Sequence, residues 1–154
     1  MRSYTLVTIF LLFVRYTSAQ TISIDGDVEK PMQMSMTDFE KLPMVEVNGK
    51  DKDGKEHVFT GATLFNVIQA AGIPAASKSF ATYVHITATD NYKVIFTVAE
   101  LDPAFTSQEI ILASLVDGKP LAKGEGPFRV VAVNDKKHAR WIREVTEIKV
   151  VVVK

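Results

Sequence analysis

Short segments rich in β-branched and aromatic residues recur between residues 83 and 153. Each is bounded by glycine, proline, asparagine or aspartate, the residues that punctuate strands. They lie at 83–88, 92–97, 110–116, 128–133 and 144–153. Four shorter extended segments precede them, at 21–24, 31–36, 44–48 and 57–60. A chain with this many short strands must bury its apolar faces by packing sheets together.

One segment has a clear helical period, at residues 62–71. Its apolar side chains recur at the spacing of one helix face, namely at Leu64, Val67, Ile68 and Ala71. Gly72 follows as a left-handed cap. A shorter helix is expected after Thr37, because Thr37 and Glu40 have the spacing of a capping box. Few helices, placed irregularly among strands, predict a single α+β domain with a mixed-sheet or barrel-like core.

The first 19 residues have the pattern of a secretory signal peptide. Arg2 precedes an apolar run from residue 5 to residue 14, and Thr17 and Ala19 suit a cleavage site. An uncleaved N-terminal anchor is the alternative interpretation. The sequence therefore predicts an exported protein whose folded domain comprises residues 20–154.

Charge and cysteine content exclude several classes of function. Basic and acidic residues are equal in number, 18 of each, so no nucleic-acid partner and no basic membrane patch are expected. The sequence has no cysteine. It therefore offers no disulfide, no thiolate nucleophile and no sulfur ligand for a metal. The three histidines lack a paired metal-binding spacing, and we expect no metal site.

Trp141 is the only tryptophan and stands among cationic residues. An exposed indole can stack on a flat heterocycle for about 1–3 kcal/mol. Arg140 or Arg129 can then add forked donors to a carbonyl, carboxylate or phosphate of the ligand. Equally, Trp141 can pack into the core while the arginines are solvated. The residues alone leave both interpretations open.

Four further candidate ligand residues lie at strand ends. Asp90 and Asp117 occupy turns, where a carboxylate can accept hydrogen bonds from an amino-pyrimidine edge. Tyr92 and Ser114 are included because they stand near the same turns and strand ends. With the tryptophan and the two arginines they complete the predicted ligand site.

The order of motifs resembles the molybdopterin-binding domain of the sulfite oxidase family. The resemblance lies in IDGDVEKPMQMSMTDFEKLP (24–43), TGATLFNVIQAAGI (60–73) and LVDGKPLAKGEGPFRVVAVNDKKHARWIREVTEIKV (115–150). It covers nearly the whole mature chain and implies the fold of that domain. In the family, a cysteine after the first helix binds molybdenum. The corresponding stretch here, 45–61, has none.

The resemblance also implies a ligand and a partner. Arg129 and Arg140 match family arginine or lysine positions on the pterin side, and Ser114 stands where the family often has a bulky tyrosine. The chain is similar to small exported pterin-binding proteins without enzymatic activity. Those proteins report pterin to the periplasmic domain of a membrane-bound cyclic-di-GMP regulator. The expectation is therefore a periplasmic sensor that binds a pterin rather than molybdopterin.

Two other functions stay open at this point. The first is a molybdopterin-dependent oxidoreductase that holds its cofactor without a thiolate. The second is a ligand-free interaction domain on the same scaffold. That second alternative predicts that Trp141 is fully buried and that no ligand stabilises the protein.

Overall fold

The computed structural model describes residues 21–73 and 81–153. The predicted signal peptide, residues 1–19, lies outside the described residues, so its prediction stays untested. Within the described ranges, no helix has both the length and the apolar character needed to span a membrane.

Ten strands in the described residues form two five-stranded sheets. The first half of the chain supplies β1 Thr21–Gly26, β2 Met32–Ser35, β3 Met44–Lys50 and β4 Glu56–Thr63. The second half supplies β5 Thr82–Ala88, β6 Lys93–Thr97, β7 Ile110–Val116, β8 Lys119–Pro120, β9 Arg129–Ala132 and β10 Val145–Val152. One sheet has the order β2-β1-β10-β5-β6. In the other, the order is β3-β4-β7-β8, with β9 also paired to β7.

Pairing between distant strands closes the domain. β1 pairs in parallel with β10, so the start and the end of the described chain lie side by side. The other strand pairs are antiparallel. Four of them join consecutive strands, as short turns require: β1–β2, β3–β4, β5–β6 and β7–β8. The strands are therefore mixed in direction, as the sequence predicts, and they form two open sheets rather than one closed barrel.

Both sheets contribute to one apolar core. On β5 the side chains of Val84 and Ile86 are fully buried, while Tyr83 and His85, which alternate with them, are partly exposed. This alternation follows from the two-residue period of a strand. β7 is buried on both faces from Ile110 to Ser114, because it lies between β4 and β9 within its sheet and α2 packs on β4 and β7.

Within the described ranges, three short α-helices accompany the sheets: α1 Met36–Phe39, α2 Leu64–Ala70 and α3 Val98–Leu101. α2 confirms the predicted helix, and Gly72 adopts the left-handed backbone conformation expected after it, with φ of 75°. The predicted cap at Thr37 is wrong. β2 ends at Ser35 and α1 begins at the next residue. The Ser35 side chain caps the helix by accepting a hydrogen bond from the backbone N of Asp38.

Candidate functional site

A cleft of about 770 Å³ opens where five separate segments of the chain meet. These segments are the hairpin loop between β3 and β4, the β5–β6 turn with the end of β5, the β8–β9 loop, the start of β9, and the stretch 136–144. The lining residues are Lys52, Ala88, Asp90, Tyr92, Gly124, Arg129, Lys136, Lys137, His138, Ala139, Trp141, Ile142, Arg143 and Glu144. A volume of this size matches that of small-molecule sites in proteins.

Positive charge is concentrated in this cleft, although the whole sequence is neutral. Five lining side chains are cationic, namely Lys52, Arg129, Lys136, Lys137 and Arg143. The carboxylates among the lining residues are those of Asp90 and Glu144. We therefore call it the cationic cleft. A recess in which one sign of charge predominates favours ligands of the opposite sign.

Arg129 is the most buried cation of the cleft. The residue is 7% exposed, yet its Nε has no hydrogen-bond partner in the structure. Its Nη1 contacts Oε2 of Glu125 at 3.3 Å, and its guanidinium carbon lies 5.5 Å from the ring centres of Phe59 and Trp141. Burial lowers the pKa of the Arg129 guanidinium below its usual value, although Glu125 opposes this shift. The guanidinium is thus desolvated with one donor unused.

Trp141 packs into the core and presents only a small part of its surface to the cleft. The residue is 5% exposed, and its indole N–H donates to the backbone oxygen of Ala132 at 2.9 Å. Phe59 meets the indole edge-on at a ring-centre distance of 5.6 Å, and the imidazole of His138 lies 4.3 Å away. Of the two interpretations left open by the sequence, the structure has the packed indole rather than the exposed plate.

The β5–β6 turn contributes two predicted site residues, Asp90 and Tyr92. Oδ1 of Asp90 accepts from the backbone N of Tyr92 at 2.9 Å, which fixes the tight turn. Tyr92 is 48% exposed and donates its hydroxyl to the backbone oxygen of Ala139 at 2.8 Å. The turn is thereby joined to the opposite wall of the cleft, and an exposed aromatic face lies at its rim.

Arg140 faces away from the cationic cleft. Its Nε and Nη2 donate to the two carboxylate oxygens of Asp135 at 2.8 and 2.6 Å, and its Nη1 donates to Glu100 at 3.0 Å. The guanidinium carbon also lies 4.4 Å from the ring centre of Phe96. These hydrogen bonds, first of all those to Asp135, raise the pKa of Arg140. Arg140 therefore anchors the 3₁₀ turn His138–Arg140 to α3 and β6.

Ser114 and Asp117 also lie outside the cationic cleft. Ser114 is buried and lines a second cavity of about 540 Å³, which shares Gly124 and Glu144 with the cleft. Asp117 contacts His57 in the turn between β7 and β8. The structure thus gathers Trp141, Arg129, Asp90 and Tyr92 of the seven predicted residues, and separates Arg140, Ser114 and Asp117 from them. Their binding of a ligand stays a prediction.

Sequence reasoning did not select several cationic residues of the cleft. Lys136 and Lys137 stand close before the tryptophan, and their proximity to it was the available signal. Lys52 belongs to a hairpin loop far away along the chain. Only the packing of the β3–β4 loop beside the 136–144 stretch brings it to the cleft.

Comparison with known proteins agrees with this fold. The family model described as "Oxidoreductase molybdopterin binding domain" matches residues 14–153. No curated protein matches the sequence. Among solved structures, the chain is similar to the sulfane dehydrogenase SoxCD from Paracoccus pantotrophus, with 16% identity and a TM-score of 0.69. The match covers 86% of this chain and 39% of the SoxCD chain, so this chain spans about two fifths of the length of that structure.

Proposed function

The chain belongs to the oxidoreductase molybdopterin binding domain family, and from that premise we propose that it is a non-enzymatic protein that binds a pterin in the cationic cleft. Arg129 carries the proposal. The guanidinium is largely desolvated, and its partners are a 3.3 Å ion pair with Glu125 and the rings of Phe59 and Trp141. An anionic group on a ligand in the cleft would add a further partner for this buried charge.

The other residues of the cleft suit a flat, polar ring with an attached anion. The exposed face of Tyr92 can stack on a heterocycle, and Asp90 stands beside it where a carboxylate can accept from an exocyclic amine. Lys136 and Lys137 add positive charge at the rim. We therefore expect a pterin that carries a carboxylate or phosphate to bind more tightly than a neutral one.

The residues present fit the pterin part of the family's cofactor and not its metal part. The chain has no cysteine, and stretch 45–61 instead brings Gly49 and Phe59 against Trp141. A Cβ added at Gly49 would lie 2.7 Å from Cη2 of Trp141, so the indole occupies the space of any side chain there. Within residues 21–73 and 81–153, no three histidine, aspartate or glutamate side chains are placed to hold a metal.

The proposal extends to a role in signalling. The resemblance to small exported pterin-binding proteins supports a periplasmic location and a partner, the periplasmic domain of a membrane-bound cyclic-di-GMP regulator. The test is direct binding of such a domain, produced as a soluble fragment, to this protein with and without pterin. Binding that does not depend on pterin contradicts a sensor.

A ligand-free interaction domain is the second candidate. The burial of Trp141 favours it, because the indole already has a hydrogen-bond partner and ring contacts on several sides. Under this alternative the charge of the cleft is solvated, and no small molecule raises the melting temperature of the protein.

Calorimetric titration with two matched pterins distinguishes the candidates. The probes are 6-carboxypterin, which is anionic, and 6-hydroxymethylpterin, which is neutral, each in oxidised and reduced form. Pterin binding predicts saturable heat, tighter binding of the carboxylate, and an affinity that weakens with added salt.

Arg129→Lys and Lys41→Gln serve as the variants for this titration. Arg129→Lys keeps the charge but removes the forked donor. It should weaken binding by about tenfold to a hundredfold, the range for loss of one hydrogen bond to a charged group. Lys41→Gln removes a charge outside the cleft and should leave the affinity unchanged. No heat and no thermal stabilisation with any of the pterins at millimolar concentration would leave the interaction domain as the function.

A further inference from the structure

His57 bridges two loops that are distant in sequence. Its Nδ1 is 2.7 Å from Oδ2 of Asp117, in the turn between β7 and β8. Its Nε2 is 3.2 Å from Oδ2 of Asp51, which opens the loop between β3 and β4. The side chain of His57 is only 17% exposed, whereas those of Asp51 and Asp117 are 31% and 51% exposed, so the imidazole is shielded while both carboxylates partly face water.

Both ring nitrogens must carry a proton for this arrangement to be stable. An ionised carboxylate only accepts hydrogen bonds, and a neutral imidazole has a single N–H. Deprotonation therefore turns one of the two contacts into a lone pair that faces a carboxylate oxygen. The contact with Asp117 is shorter, and Oδ1 of Asp117 is also held by the backbone N of Val58 at 2.9 Å. The contact with Asp51 is the one that is lost.

Asp51 organises the loop that carries Lys52 to the cationic cleft. Oδ1 of Asp51 accepts from the backbone N of Asp53 at 2.9 Å and of Lys55 at 2.8 Å. Its negative charge also raises the pKa of Arg129, although burial and Glu125 have larger effects on that group. A change in the position of Asp51 therefore moves Lys52 and alters the field at Arg129.

We propose that His57 is a proton-controlled tether that holds the Asp51 loop and keeps Lys52 at the cationic cleft, so that an anionic ligand binds most tightly when His57 is protonated. The part of this inference that concerns the ligand rests on the proposed function. The part that concerns the tether depends only on the contacts of His57.

The charged groups around His57 fix the direction of the pH dependence. Hydrogen bonds first to Asp117 and then to Asp51 raise the pKa of His57 above its usual value, whereas burial and Lys55 lower it. On the flanking hairpin strands, Lys50 and Glu56 pair with each other at 3.5 Å. The tether is thus intact at acidic pH and is lost as the pH rises through the raised pKa.

Hydrogen exchange tests the tether without any ligand. The backbone amides of Asp53 and Lys55 are followed by NMR between about pH 5.5 and pH 8.5, a range that extends well above the ordinary histidine pKa of about 6.5 because the pKa of His57 is raised, and the rates are corrected for intrinsic exchange. Protection of both amides should fall by about two- to fivefold with rising pH, the range for one partly exposed ion pair. His57→Gln should abolish this dependence, and His85→Gln should preserve it.

Asp51→Asn serves as a second variant, because its side-chain oxygen still accepts from both amides while its charge is removed. It should abolish the pH dependence as His57→Gln does. The same pH dependence in the wild type, in His57→Gln and in Asp51→Asn overturns the tether.

Titration with 6-carboxypterin over the same pH range completes the test. The affinity of the wild type should fall as the pH rises, and that of His57→Gln should stay constant. If no pterin binds at any pH while the amides of Asp53 and Lys55 show the expected pH-dependent protection, the proposed function is overturned and the tether is supported. Binding with the same pH dependence in both proteins overturns the control of the ligand by His57.

Discussion

Truncation of Trp141 should cost a large part of the stability of this domain. A buried aromatic side chain covers about 150–250 Å², and at about 25 cal/mol per Å² this burial corresponds to roughly 4–6 kcal/mol. Trp141 is only 5% exposed, so nearly all of this area is removed from water in the folded protein. Trp141→Ala should therefore lower the free energy of unfolding by about 3–5 kcal/mol, the range measured for such truncations.

Trp141→Phe separates the hydrogen bond from the packing. The phenyl ring keeps most of the contacts with Phe59 and His138 but leaves the backbone oxygen of Ala132 without its donor. The expected loss is about 1–3 kcal/mol, the cost of one buried unsatisfied group.

Urea unfolding followed by far-ultraviolet circular dichroism measures both losses, since the variants lack tryptophan fluorescence. Lys41→Gln serves as the surface control. A loss of less than about 0.5 kcal/mol for Trp141→Ala, the range of ordinary surface substitutions, would refute the core placement of the indole.

Three further predictions concern stability. Arg140→Gln should lower the free energy of unfolding by about 1.5–3 kcal/mol, because two carboxylates lose their charged donor; chemical denaturation measures it. Gly61→Ala should prevent folding or destabilise the protein severely, because the added Cβ would lie 2.0 Å from the backbone oxygen of Leu112. The matched variant Gly118→Ala meets open space and should lower the free energy of unfolding by only about 1 kcal/mol, because of its positive φ. Expression level and melting temperature compare the two variants. The hydrogen bond from His57 lowers the pKa of Asp117 in the folded protein. The ionised Asp117 carboxylate therefore stabilises the fold above the pKa of the unfolded carboxyl, and this stabilisation is lost as the pH falls through the lowered folded pKa. The melting temperature below about pH 4 should depend less on pH in Asp117→Asn than in the wild type.

The fold could be predicted to the extent that it depends on local pattern. β5, β6 and β7 were predicted because their side chains alternate or are continuously apolar. β8 was missed because two residues carry no periodicity. The parallel pairing of β1 with β10 joins opposite ends of the described chain, and nothing local in either strand encodes it.

The helix cap shows why boundaries are harder to predict than elements. Ser35 and Thr37 are both good N-cap residues, and Glu40 gives Thr37 the better sequence pattern. In the structure β2 ends at Ser35, so Ser35 rather than Thr37 is the N-cap of α1. The capping box of the described structure lies instead at Thr97 and Glu100.

The candidate site was predictable where its residues are close in sequence or follow the same turn. Trp141 and Arg129 come from one stretch, and Asp90 and Tyr92 from one turn, and all four meet in the cleft. Arg140 was placed with them because it adjoins the tryptophan. The turn of the 3₁₀ segment directs its side chain toward Asp135 instead, which sequence adjacency cannot reveal.

The indole N–H resonance of Trp141 gives the most direct test of pterin binding in the cationic cleft. The protein has one tryptophan, so an ¹H–¹⁵N correlation spectrum contains one indole signal. Titration with 6-carboxypterin should shift that signal in a saturable way, since the indole contacts Arg129 and lines the cleft. An indole signal that does not move while the pterin binds would place the ligand elsewhere, and a spectrum unchanged throughout would contradict pterin binding altogether.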